Sequence, residues 1–244
     1  NMKDLVGNNN SKLITTVILT IVLFFIITFI HYTITYTKIK GDILLKDNHD
    51  GKKKKVVKIN GSETNTDFTY SFWFYIESFD YRKTQSKPLI YKGDSEKKQY
   101  FPGIFLMPYT NNIKIILSGT EKIIKNVDRN NNAEFKIKNV PVRKWNHLLL
   151  SVKGNTYSVY FNGYLEGDVN MKGNPMITSM PLTICDNGGF HGIIKNVVYY
   201  DSYFTNDNMY KLYSAGPDID NTVVTYPEYL FKWMKLDKLF KNLL

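Results

Sequence analysis

The chain reads as all-β, an antiparallel sandwich carried behind one apolar helix, and three features of the sequence lead to that reading. Residues 68–76, FTYSFWFYI, alternate with a period of two. That places Phe68, Tyr70, Phe72, Phe74 and Ile76 on one face of an extended chain, and Thr69, Ser71, Trp73 and Tyr75 on the other. Much of the remaining sequence breaks into short runs rich in β-branched and aromatic residues, separated by Gly, Asn, Asp and Pro, as expected of strands joined by tight turns. Ahead of them stands an uncharged run of twenty residues, Leu13 to Tyr32.

Twenty helical residues at about 1.5 Å each match the roughly 30 Å hydrocarbon core of a bilayer. The run is therefore expected to be a transmembrane helix over 13–37, with Leu13, Phe24, Phe25 and Tyr32 in contact with lipid. A cleaved signal peptide is the rival reading, but its apolar region runs to about 15 residues and ends at small residues. Here the run continues into His31, Tyr32, Tyr36 and Lys38, residues suited to the interface. Residues 1–12, polar and Asn-rich, precede it.

Residues 38–55 read as a basic linker, combining Gly, Asp, Asn and Lys with few aromatic residues. Lys38, Lys40, Lys46 and Lys52 to Lys55 outnumber Lys3 and Lys12 on the other flank. Because Lys and Arg are retained on the cytoplasmic side, the large downstream part is expected on the cytosol-equivalent side. The Lys run is either a solvated linker or a patch drawn to anionic lipid.

The sandwich is expected over 56–217. Besides 68–76, strands are expected at 87–91, 103–107, 112–117, 147–152, 157–161, 181–184 and 193–200. Asn162-Gly163 joins two of the runs, and Asn-Gly suits a type I′ hairpin, whose central residues both need positive φ. One short helix follows, with Thr205 or Asn206 as cap, Asp207 in the first turn, Met209, Leu212 and Tyr213 at helical spacing, and Gly216-Pro217 as the stop; it is expected to plug an edge of the sandwich. In the tail, 218–244, the stretch EYLFKWMKLDKLFKNLL reads as a basic amphipathic helix. Leu230, Trp233, Phe240, Lys232 and Lys235 are its expected contact residues, whether with a membrane interface, a partner protein or the sandwich itself.

A composition of 43% hydrophobic and 15% aromatic residues is too apolar for disorder. A net charge of +10 suits a membrane surface or an acidic partner. The lysines are scattered and form no nucleic-acid-binding motif, so nucleic acid is not an expected partner. Cys185 is the only cysteine, which rules out an internal disulfide and agrees with a reducing compartment.

The order FTYSFWFYI, KPLIYKGD, PGIFLMPYTNNIKIIL, VPVRKWNHLLLSVKGNTYSVYFNGYLEGD, GGFHGIIKNVVYYDSYFTNDNMYKLYSAGP resembles the concanavalin A-like, laminin-G-like jelly-roll superfamily. The wording PYTNNI, ICDNGGFHG and YSAGP is similar to versions of that domain encoded by giant DNA viruses. The resemblance implies a jelly roll in which Trp145 and the Gly192-Ile193 element are structural. It also implies a role among lectins, glycan hydrolases and adhesion modules.

Hydrolases of the superfamily carry paired carboxylates on one strand, and a retaining glycosidase needs them roughly 5–5.5 Å apart. The glutamates here are isolated, so no catalytic residue and no enzyme are expected. His31, His49, His147 and His191 lack metal-ligand spacing, and Cys185 reads as a small buried residue. No cofactor is expected; calcium, which many family members hold, would have to use Asp94, Asp168 or Asp186. Two functions follow. One is a membrane-anchored structural protein, a minor virion component linking an internal membrane to capsid or shell proteins. The other is a membrane-tethered lectin binding glycans through exposed aromatics such as Trp73, Tyr100 and Tyr109.

Overall fold

The structure, a computed structural model, describes residues 2–36, 38–59, 66–119, 132–175, 178–218 and 222–224. The expected contact residues of the tail, Leu230, Lys232, Trp233, Lys235 and Phe240, lie outside the described residues. In chain order the elements are helix α1 (Met2–Tyr36) and strands β1 (Lys38–Lys40), β2 (Asp42–Leu45), β3 (His49–Asp50), β4 (Lys55–Val57), β5 (Phe68–Ser78), β6 (Lys87–Asp94) and β7 (Gln99–Leu106). They continue as β8 (Ile113–Ser118), β9 (Asn132–Ile137), β10 (Trp145–Lys153), β11 (Thr156–Phe161), β12 (Tyr164–Asn170), β13 (Leu182–Ile184), β14 (His191–Tyr200), helix α2 (Asn206–Ser214) and β15 (Thr222–Val224). The described residues fall into two compact units, one holding α1 and the other the strands and helix between 40 and 222.

In the first unit, α1 begins at Met2, so the polar residues ahead of Lys12 continue the helix. At about 1.5 Å per residue it is roughly 52 Å long. Its stretch Lys12–Ile30 is long and apolar enough to cross a membrane. Leu13, Phe24 and Phe25 are all exposed along it, and Tyr32 lies on its last turns. The hydroxyls of Thr16, Thr20 and Thr28 donate to the carbonyls of Lys12, Thr16 and Phe24 at 2.9, 3.0 and 3.0 Å. Polar side chains satisfied on their own helix lower the cost of a hydrocarbon environment.

The second unit is a sandwich of two antiparallel sheets. One has the order β12-β11-β10-β5-β14-β2, with β3 also on β14; the other has the order β4-β13-β6-β7-β8-β9. The alternation of 68–76 sends Phe72, Phe74 and Ile76 into the core, where they join Leu148 and Leu150 from the same sheet and Leu89, Ile104, Ile115 and Leu117 from the other, all fully buried. At the Asn162-Gly163 hairpin both residues have positive φ, +48° and +88°, and Phe161 pairs with Tyr164, the geometry expected of that turn.

Three features differ from expectation. First, the stretch read as linker carries β2, β3 and β4, which pair with β14 and β13. Leu44 and Leu45 are buried in the core, and their apolar contribution outweighs the linker-like composition around them. Gly51 marks close packing: its N–H donates to the Gly192 carbonyl at 2.8 Å, and a Cβ there would lie 2.7 Å from the Phe190 carbonyl oxygen. Second, β9 appears where the sequence suggested no strand. Its core positions Ala133, Phe135 and Ile137 alternate with polar residues, as suits a strand at the edge of a sheet.

Third, α2 lies over the outer face of the first sheet, not at an edge. Tyr213 stacks on Trp73 of β5 at 5.7 Å between ring centroids and on His147 of β10 at 6.1 Å, and the Tyr160 hydroxyl of β11 donates to Asn206 Oδ1 at 2.7 Å. That outer face carries large aromatic groups, and Met209 and Leu212 add the apolar side of the helix. Thr205 takes the N-cap position without a side-chain bond.

Candidate functional site

Three loops converge on one cavity of the sandwich: residues 79–86 between β5 and β6, 107–112 between β7 and β8, and 138–144 between β9 and β10. Their backbones are bonded to one another. The Tyr109 N–H donates to the Lys83 carbonyl at 2.8 Å, and the Val140 N–H to the Asn111 carbonyl at 2.8 Å. The Asn112 side-chain oxygen accepts from the Asn139 N–H at 3.1 Å, and Asn111 Nδ2 donates to the Val140 carbonyl at 3.4 Å. Within the first loop, the Asp80 N–H and carboxylate both bond the Ser78 hydroxyl, at 3.1 and 3.2 Å.

Positive φ recurs in these loops: Arg82 at +50°, Tyr109 at +58° and Asn139 at +57°. Asn tolerates this region, whereas a bulky residue there costs roughly 1–2 kcal/mol. Such residues persist where the surroundings hold them, and they cluster at ligand sites. The effect here is to present the Tyr109 ring, 70% exposed, at the cavity.

The cavity measures about 410 Å³. Lys87, only 2% exposed, lines it, with its ammonium 5.9 Å from the centre of the Phe79 ring. Burial, and then the neighbouring positive charge of Arg82, hold the Lys87 pKa below its ordinary value. Lys83, Asp80, Thr110, Asn111, Asn112 and Asn139 complete the lining. Asn112 uses its oxygen within the scaffold, and its NH₂ group brings two further donors to the site. An exposed aromatic face beside amides, a hydroxyl and a few charges suits a ligand with many hydroxyl groups and an apolar C–H face. Among the described residues Asp80 is the one carboxylate in the lining, and a single carboxylate does not supply the acid and nucleophile pair of glycoside hydrolysis.

Of the three aromatics expected to face solvent, only Tyr109 does. Trp73 is 5% exposed, covered by α2. Tyr100 is half-buried against Tyr91 and Phe105 on the outer face of the second sheet. The three aspartates considered for calcium have separate roles. Asp94 Oδ1 accepts the backbone N–H groups of Glu96 and Lys97, Asp168 lies in β12, and Asp186 accepts the Tyr91 hydroxyl and pairs with Lys54 at 2.9 Å. Cys185 is buried at the end of β13, and burial followed by the Asp50 charge pushes its thiol pKa up, which disfavours a nucleophilic thiolate.

The sequence hinted at this site only through PYTNNI, an Asn-rich turn between two strands. Lys87 gave no signal, because lysine is exposed by default and here it opens an ordinary-looking strand run. Asn139 and Asp80 read as loop residues.

The family described as the concanavalin A-like lectin/glucanases superfamily matches residues 50–208. The chain belongs to that superfamily. Among solved structures, this concanavalin A-like domain is similar to the botulinum neurotoxin serotype D binding domain, at 13% identity and a TM-score of 0.54 over 73% of this chain and 41% of that one. It is also similar to the botulinum neurotoxin serotype D ligand binding domain in complex with N-acetylneuraminic acid (11% identity, TM-score 0.55, 74% and 50% coverage). The botulinum neurotoxin serotype G binding domain gives 12% identity, a TM-score of 0.52, and 73% and 46% coverage. At these identities the likeness is one of fold, and the chain spans half or less of the length of those structures. No curated protein matches the chain.

Proposed function

We propose that the chain is a non-enzymatic, membrane-tethered carbohydrate-binding protein whose concanavalin A-like sandwich takes a saccharide against Tyr109 in the three-loop cavity. The observation that carries the reading is the exposed Tyr109 ring, held at positive φ beside a cavity lined by asparagine amides. Membership of a superfamily that includes lectins supports it, as does a similar fold in a protein whose structure contains N-acetylneuraminic acid.

Outward placement fits this reading. Of the lysines that argued for the cytosolic side, Lys52 lies 4.9 Å over the Tyr81 ring, Lys54 pairs with Asp186 and Lys55 is in β4. These side chains belong to the folded sandwich and not to a free juxtamembrane run. Without the run 52–55, Lys38, Lys40 and Lys46 face Lys3 and Lys12, a near balance, and folded domains translocate largely regardless of charge. The scaffold reading, in which the protein joins an internal virion membrane to capsid or shell proteins, draws on the tail residues 228–244. Its test is cross-linking of Lys232 and Lys235 to a neighbouring shell protein.

The carbohydrate reading is tested on a glycan array with the full chain in detergent. At least one saccharide class is expected to bind, and Tyr109→Ala should lower that affinity at least tenfold while leaving thermal unfolding unchanged, because the ring is exposed. An array without signal, with or without calcium, would refute the reading.

A further inference from the structure

The carbohydrate reading leaves a charge to explain. Lys87 is nine-tenths buried or more and lines the cavity, and among the described residues no carboxylate lies within ion-pair distance of it. Asp80, the lining carboxylate, is engaged by the Ser78 hydroxyl. A buried ammonium without a counter-charge is costly, and an apolar side chain of similar length would fill the same volume without that cost. A second cation sits close by. Arg82 lies near enough to act on Lys87 electrostatically, and its Nε is buried without a hydrogen-bond partner in this structure. Lys83 lines the same cavity. The local excess is therefore positive, three cations beside one acid, in a site whose remaining groups suit hydroxyls.

Resting on the carbohydrate reading, we propose that the saccharide bound here is acidic, and that a carboxylate or sulfate ester on it docks against the Lys87 ammonium while a sugar face stacks on Tyr109. The bound anion supplies the counter-charge that the fold omits, and Lys83 and Arg82 add to the attraction. Desolvation inside the cavity strengthens this pairing relative to one in open water. Lys87 then sets specificity by charge, and Tyr109 supplies contact common to acidic and neutral sugars.

The experiment compares matched oligosaccharides that differ only in one group, a neutral member, a uronic-acid member and a sulfated member, titrated into the full chain in detergent. The acidic members are expected to bind at least tenfold more tightly than the neutral one, with an advantage that shrinks as salt rises. Lys87→Met should remove that preference and hold or raise the thermal midpoint. Should Lys87→Met fail to fold, Lys83→Ala and the salt series on the unaltered chain carry the test. Each should reduce the acidic preference severalfold. Equal affinity for neutral and acidic members, or a preference that survives Lys87→Met, overturns the acidic assignment while leaving carbohydrate binding standing. No affinity for any member overturns the carbohydrate reading itself.

Discussion

His147 is a titratable side chain placed where its charged form is strongly disfavoured. Its ring is buried between Trp73, at 4.7 Å, and Tyr213, and Nε2 lies 2.8 Å from the Ser71 hydroxyl. Burial pushes its pKa from 6.5 down to about 3. Between those values the unfolded chain binds a proton that the folded chain does not, so this group costs stability as pH falls below 6.5, at roughly 1.4 kcal/mol per unit. Urea unfolding followed from pH 7 to pH 4.5 should show that slope, and His147→Gln should flatten it; identical slopes in the two proteins would contradict the assignment. Residues of this kind are poorly legible in sequence. His147 and Lys87 are polar residues that tertiary packing buried, and no period or spacing marks them; Tyr109 reads as exposed together with Trp73 and Tyr100, and of the three it alone stands out at 70% exposure.

At the scale of elements, β2 and α2 give the sharpest tests. If residues 38–55 were a linker, Leu45→Ala would change little. Because Leu45 is buried in the core against β14, the substitution should cost about 2–5 kcal/mol in chemical denaturation. For α2, Tyr213→Ala should uncover Trp73, shifting tryptophan emission to longer wavelength and costing about 2 kcal/mol from the lost ring stacking and burial; an unshifted spectrum would mean that Trp73 is covered by something else. The strands were largely legible because period two and turn residues are local signals. Those at 68–76, 147–152, 157–161 and 193–200 all reappear within β5, β10, β11 and β14. Short strands β2 to β4 were not, since two to four residues carry no period and their identity depends on β13 and β14 far along the chain. The placement of α2 was hidden for the same reason. Its amphipathic pattern says that one side is covered, and the aromatic outer face of β5 and β10 decides by what.

For the whole molecule, the apolar helix and the sandwich make separate demands. A retained anchor should keep the protein in the membrane fraction through alkaline carbonate washing, with release only by detergent. Intact mass spectrometry would then return the mass with the first 30 residues present; a mass lacking them would mark the helix as a removed signal sequence. The sandwich class was legible from composition, alternation and the hairpin signal together, and its superfamily from the order of motifs. The cavity was not, because it is assembled from three loops that are distant in sequence and bonded through their backbones.

If this cavity binds saccharide, hydrogen–deuterium exchange on the full chain with and without an oligosaccharide should register it at the three loops. Slowed exchange confined to 79–86, 107–112 and 138–144 is the expected result. Protection elsewhere, on the outer face of the second sheet or in the tail, with these three loops unchanged, would contradict it.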